Sequence, residues 1–166
     1  MPDRKTIERA AEDKREGKAP TTQAGEFVRE EMHHIREGKH GARSTKQAIA
    51  IGLSKARRAG VKLPAPKKGT VSEETRKSAA RETAAGARGA KPVSRRRSRA
   101  ITAALKREGH TAASKSALAR HAKSAARKRT AGARSAAARK AVKTKGPALR
   151  SAAARKAART RARSTG

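Results

Sequence analysis

Large apolar side chains are rare along this chain, and where they occur they fall at helical spacing. In residues 24–37, AGEFVREEMHHIRE, Ala24, Val28, Met32 and Ile35 recur at i, i+4, i+8 and i+11, one stripe of a helix, with Phe27 at its edge. Glu26, Glu30 and Glu31 stand early in the segment, where the helix dipole favours anions, and Gly38 supplies the stop. Residues 44–60 follow the same logic. Ser44 and Gln47 have capping-box spacing, and Ala48, Ile49, Gly52, Leu53, Ala56 and Ala59 share a face. Gly60 takes the C′ position and Pro64 bars continuation. Gly52, inside the apolar face, admits close approach of a neighbouring backbone. The short GKHGAR segment at 38–43 suits a connection between antiparallel helices. The pattern predicts a helical hairpin over 24–60 that buries Val28, Met32 and Ile35 against Ile49 and Leu53. Ile51 projects from the opposite side, as a scattered surface residue or, alternatively, a partner contact.

Elsewhere the pattern thins. Residues 4–16 are good helix formers, but Ile7 is their one large apolar group, so a frayed helix ended by Gly17 and Pro20 is expected. Residues 98–109, SRAITAALKREG, offer Ser98 as a cap, Ile101 and Leu105 at i, i+4, and Gly109 as a stop. Residues 111–132 contain Leu118 alone, so a weaker helical hairpin spans 98–132. The octamer RSAAARKA occurs at 134–141 and again at 150–157, a low-complexity unit without the apolar groups that stacked repeats need.

Composition sharpens this reading. Val, Ile, Leu, Met and Phe total 18 of 166 residues, against 39 alanines. Burial at about 25 cal/mol per Å² must offset chain entropy, and alanine buries little. The expected fold class is mostly α: a small helical hairpin plus a largely disordered or helix-prone basic tail, with no sheet and no large core. The expected divisions are a charged N-terminal helix and linker at 1–23 and the hairpin mini-domain at 24–60. A Pro/Gly/basic linker at 61–97, the weak hairpin at 98–132 and a low-complexity Ala/Arg/Lys tail at 133–166 follow.

Charge divides the chain more sharply than hydropathy does. Its 45 Lys/Arg and 13 Asp/Glu leave a net charge of +32, but residues 1–60 hold 14 and 9 of them, and residues 61–166 hold 31 and 4. Such a chain seeks polyanions. There is no cysteine, hence no disulfide or thiolate metal site. The N-terminal segment lacks the apolar core of a signal peptide, and no stretch approaches the ~20 apolar residues of a membrane span. A cytoplasmic protein without membrane partner or small-molecule substrate is expected.

Alanine and arginine favour helix, while dense like charge opposes it. The tail is therefore expected to be coil or fluctuating helix when free and more helical when bound. On a helix, Arg134, Arg139 and Lys140 point about 0°, 140° and 240° around the axis, not along one face. That geometry suits phosphate neutralisation on several sides rather than a recognition helix reading base edges. The one aromatic side chain, Phe27, is expected inside the hairpin, which removes the stacking that single-strand and RNA readers use. The candidate nucleic-acid-binding residues are Arg95, Arg96, Arg97, Arg99, Arg127, Lys128, Arg129, Arg134, Arg139, Lys140, Arg150, Arg155, Lys156, Arg159, Arg161 and Arg163.

Other chemistry finds little support in the sequence. His33, His34 and His40 cluster near Glu30 and Glu37, but adjacent helical histidines diverge by about 100° and His40 lies in a turn. Solvated or DNA-facing histidines are the reading taken, with no metal and no cofactor. GKHG lacks the phosphate-loop pattern, and no nucleophile–base arrangement is implied, so the chain is read as no enzyme. SRRRSR at 94–99 is read as further phosphate contacts.

GKHGARSTKQAIAIGLSKARRAG at 38–60 resembles an uncharacterised bacterial family of small basic proteins marked by a KHG turn and an S-x-KQAIAIxLS-xARRAG helix. The resemblance implies a bacterial source and no catalytic residue. The tail resembles bacterial histone-H1-like Ala/Lys/Arg-rich proteins in composition. The function expected is that of a nucleoid-associated, histone-like protein binding duplex DNA non-specifically through phosphate contacts. An RNA- or ribosome-associated basic protein, or an adaptor whose 24–60 hairpin binds a protein partner, are the alternatives.

Overall fold

A computed structural model describes residues 2–89 and 94–164. Its helices are α1 (Arg4–Arg15), α2 (Pro20–Arg36), α3 (Thr45–Arg58), α4 (Glu73–Ala87), α5 (Arg95–Lys106), α6 (Lys115–Arg127) and α7 (Ala131–Ser164). A short 3-10 turn, Thr111–Ala113, precedes α6. No strand occurs among the described residues, where Lys68 and Val71 form one isolated bridge.

Most of the described residues are helical, through to Ser164, which corrects the expectation of a hairpin followed by a largely disordered tail. The reason lies in local chemistry. Ser94, Ser114 and Thr130 accept N-terminal amides at 3.5, 3.1 and 3.2 Å, so α5, α6 and α7 each begin at a side-chain cap. Alanine fills the positions between the cations, and its intrinsic preference outweighs the repulsion of exposed, solvated charges. α7 is interrupted once, at Gly146 (φ 63°), where Pro147 has no amide to continue the ladder. α4 arises inside the stretch expected to be linker. Ser72 caps it, accepting from the Thr75 amide at 3.3 Å, and Glu73 and Glu74 occupy its first turn. Residues 90–93 of that expected linker lie outside the described residues.

The chain forms two compact units, residues 1–121 and 122–166. The breaks expected at 23/24, 60/61 and 97/98 all fall inside the first unit.

Within this unit α2 packs on α3, as the paired stripes predict, and α1 and α4 pack on α2 and α3 respectively. α2 starts earlier than the stripe suggests, because Pro20 fits the first helical turn rather than ending α1. The core has two parts. Ala10, Ala24, Phe27, Ala56, Val61 and Leu63 form the first, with half-buried Leu53 against it. Met32, Ile35, Ala42, Ala48, Ala112 and Ala113 form the second, flanked by Val28, Ile49 and Leu118. Ile51 is half-buried rather than exposed. α1 buries Thr6 and Ala10 while Ile7 stays outside, so a small residue makes the contact that the frayed-helix reading assigned to none.

Glycines set the closest approaches. A Cβ at Gly52 would lie 2.7 Å from the Val28 Cα, so α2 and α3 touch backbone to backbone, as its place in the apolar face suggests. A Cβ at Gly41 would lie 1.9 Å from the Glu108 carbonyl oxygen. There the KHG turn is joined to the end of α5: the Gly41 amide donates to the Leu105 carbonyl at 2.9 Å and the Ala42 amide to that of Gly109 at 3.0 Å. Arg36 Nε and Thr45 Oγ1 donate to the Ala113 and Ala112 carbonyls at 2.8 and 2.7 Å.

Two alanine substitutions separate these roles. At Gly25 a Cβ meets nothing within 4 Å, so Gly25→Ala should stabilise the chain by about 0.5–1 kcal/mol through helix propensity. Gly52→Ala gains the same propensity but pushes α3 off Val28, and overpacking costs about 1–3 kcal/mol. Urea unfolding followed by circular dichroism should move in opposite directions for the two; equal shifts would show that the α2–α3 contact is looser than described.

Candidate nucleic-acid interface

In the first unit many cations are answered by acids. Lys18 contacts Asp13 and Glu16 at 2.7 and 2.6 Å, and those hydrogen bonds raise its pKa. The Lys39 hydrogen bond holds the Glu37 carboxyl below its ordinary range. Arg76 does the same to Glu73, whose carboxylate raises the guanidinium in turn. Arg58 reaches Glu82 at 3.0 Å, which ties α3 to α4. Residues 122–166 contain 15 Lys/Arg and no Asp or Glu, so the second unit has no acidic side chains to pair with its cations.

All of the candidate binding residues are exposed. Arg95, Arg96, Arg97 and Arg99 crowd the first turns of α5, the positive end of the helix dipole, where like charge is unfavourable and an anion is welcome. In the second unit Arg127 ends α6, Lys128 and Arg129 lie in the turn after it, and the remaining nine lie on α7. Beyond Pro147, Arg155, Arg159, Arg163 and Lys156 share an arc of about 100°, while Arg150 and Arg161 lie roughly opposite. Before Gly146, Arg139, Lys140 and Lys143 fall in a similar arc with Arg134 across from it. Each half of α7 thus carries one dense basic ridge and a sparser one behind it. The angles of Arg134, Arg139 and Lys140 alone do not show these ridges, which emerge once Lys143 and the i, i+4, i+8 spacing of Arg155, Arg159 and Arg163 are included. Phe27 is 1% exposed and takes no part in any surface.

A different cluster lies inside the first unit. Glu30 and Glu31 are buried on α2, their side chains 3% and 0% exposed. Lys55 of α3 approaches them, its Nζ 2.6 Å from Glu31 Oε2 and 3.5 Å from Glu30 Oε1. These ion pairs lie outside hydrogen-bond geometry: neither Glu31 oxygen, nor Glu30 Oε1, has a hydrogen-bond partner. His34, one turn further along α2, places Nδ1 3.9 Å from Glu30 Oε1 and Nε2 3.3 Å from Asp3 Oδ2. The KHG turn brings His40 back over α2, with Nε2 3.4 Å from Glu31 Oε1 and its ring edge-on to His34 at 6.2 Å. Of the histidines read as solvated, His33 is exposed, whereas His34 and His40 are 12% and 14% exposed at the side chain.

Residues 15–68 match the model of a family of unknown function (DUF6496). The match runs from the end of α1 through α3 to the apolar Val61 and Leu63, and stops before α4. No curated protein and no solved structure matches the chain. No helix among the described residues is long and apolar enough to cross a membrane.

The basic ridge can be tested without nucleic acid. Arg155, Arg159 and Arg163 repel one another at i, i+4. Arg159→Glu turns both repulsions into attractions of about 0.3–0.5 kcal/mol each. Helicity at low salt should rise, and the gain should shrink in 1 M salt as screening sets in. An unchanged helical signal at both salt concentrations would mean these three side chains do not share a ridge.

Proposed function

We propose that the chain is a non-enzymatic, nucleoid-associated, histone-like protein of the cytoplasm that binds duplex DNA through phosphate contacts, without reading sequence. The observation that supports this most directly is the second unit. It is a largely helical stretch with 15 cations, exposed wherever their side chains are described, with no acidic side chain and no aromatic one. Helical cations at i, i+4 recur about every 6 Å along the axis, a regular row of charges suited to a phosphate backbone. Basic ridges on both sides of α7 suit bridging of two duplexes as well as coating of one. The arginines opening α5 add a second place where phosphates relieve like-charge crowding. The absence of aromatic stacking favours duplex over single strands.

The test is a salt titration of the full chain and of residues 1–121 on two unrelated duplexes and on a structured RNA. If about ten cations meet phosphates, log K against log[salt] should fall with a slope of about −9 on B-DNA, equally for both duplexes. Removing residues 122–166 should flatten the slope by more than half. A marked preference for one duplex would point to base-edge readout, and one for the RNA at matched salt to the ribosome-associated alternative.

A further inference from the structure

We infer that Glu31, His34 and His40, with Glu30 beside them, form a binding site for one divalent transition-metal ion of the zinc class. One ligand atom from each of Glu31, His34 and His40 lies within 4.8 Å of the others. Zinc prefers a small set of nitrogen and oxygen donors converging at about 2.0–2.2 Å, which neighbouring donors at this separation reach with small side-chain shifts.

Proton placement carries the argument further. His40 Nδ1 lies 3.1 Å from the Gly41 carbonyl oxygen. A carbonyl only accepts, so Nδ1 holds the proton and Nε2 of a neutral ring turns its lone pair to Glu31 Oε1. His34 repeats the arrangement. Its Nε2 donates to the Asp3 carboxylate, and Nδ1 turns its lone pair toward Glu30 Oε1. With both rings neutral, two lone pairs face two buried carboxylates, a repulsion that the Lys55 ammonium, 2.6 Å from Glu31 Oε2 and 3.5 Å from Glu30 Oε1, answers only in part. The outward N–H bonds, one to a carboxylate and one to a backbone carbonyl, are those that fix metal-ligating histidines. Charge agrees: Asp3, Glu30 and Glu31 set against Lys55 leave two negative charges, the amount a divalent cation cancels. Lys55 occupies Glu31 Oε2, and the oxygen that faces His40 remains without a hydrogen-bond partner. Glu31 and His34 share a helix face through i, i+3 spacing, and the turn after α2 supplies the third donor from outside the helix. Protons on both rings are the rival means of cancelling the same charge, and the experiment separates the two.

The experiment uses the untagged full chain at pH 7. Zinc is titrated in competition with a chromophoric chelator, and cobalt is added in parallel to read the visible bands of a low-coordinate nitrogen–oxygen site. The expected result is one equivalent per chain, a raised Tm, and zinc-induced nitrogen-15 shifts at His34 Nδ1 and His40 Nε2. His40→Ala and Glu31→Gln should each weaken binding at least about tenfold, whereas His33→Ala and His121→Ala should not. Circular dichroism checks that the variants fold, and the nitrogen-15 shifts of the unaltered chain decide if one does not. The inference is overturned if zinc binds without stoichiometry, or equally well to His34→Ala/His40→Ala. It is also overturned if both rings are doubly protonated at pH 7 and one equivalent of zinc leaves their resonances in place.

Discussion

Close backbone approach is the constraint on which the first unit depends. A chain with 18 large apolar residues cannot fill the space between helices at ordinary separations. Here the helices move inward until alanine suffices. Gly52 against Val28, Gly41 against Glu108 and Gly86 against the Arg57 carbonyl, 1.9 Å from where a Cβ would be, are the points that permit it. Eight alanines are then buried where a better-supplied chain would use leucine. Dispersion contacts scale with how closely atoms approach, so shortening the distance recovers part of what small side chains forgo. The same economy makes the fold intolerant at these points, since a single methyl group meets backbone, which cannot rotate away.

Buried carboxylates cut the other way. Glu30 and Glu31 sit between α2 and α3, where an unanswered charge costs several kcal/mol. Lys55 answers part of that charge from α3, and His34 and His40 crowd the remainder. Because His40 arrives from the KHG turn and Asp3 from the start of α1, the cluster ties three separate segments to one helix face. The turn is thereby fixed on both sides, to the acids by His40 and to α5 by the amides of Gly41 and Ala42.

Much of α2 and α3 was legible in the sequence because their information is local. Ser44 accepts the Gln47 amide at 3.2 Å, and Gln47 Oε1 accepts the Arg43 amide at 2.8 Å, so the capping-box spacing was a sufficient guide. α4 was missed because it has no large apolar residue; Ser72 followed by Glu73 and Glu74 was the legible signal. The joining of residues 105–113 to the KHG turn could not be read. It rests on backbone hydrogen bonds whose partners lie more than sixty positions apart, and its apolar contribution is two alanines. The helicity of α7 runs against the expectation from like-charge repulsion, because the alanines between the cations outweigh it. The buried cluster was hidden for a related reason. Its helical members share a face by spacing, but His40 joins them only when the turn folds back, and turn direction is a tertiary property.

The acids and cations are also apportioned in a way that fits the two units for different work. All 13 Asp/Glu lie in residues 1–121, where they pair with cations, begin helices and line the buried cluster. Local neutralisation lowers the long-range field of that unit and lets its fold depend on packing. Residues 122–166 contain no Asp or Glu, so no acidic side chain of that unit offsets its 15 cations. A helix in that state is held by alanine propensity against its own field, and any polyanion that supplies phosphates removes the opposing term. Helix stability and any attraction to phosphate thus depend on one quantity, the density of cations along α7. Raising that density strengthens the attraction to phosphate and weakens the free helix together. The alanine-rich spacing between the cations is the compromise that keeps both.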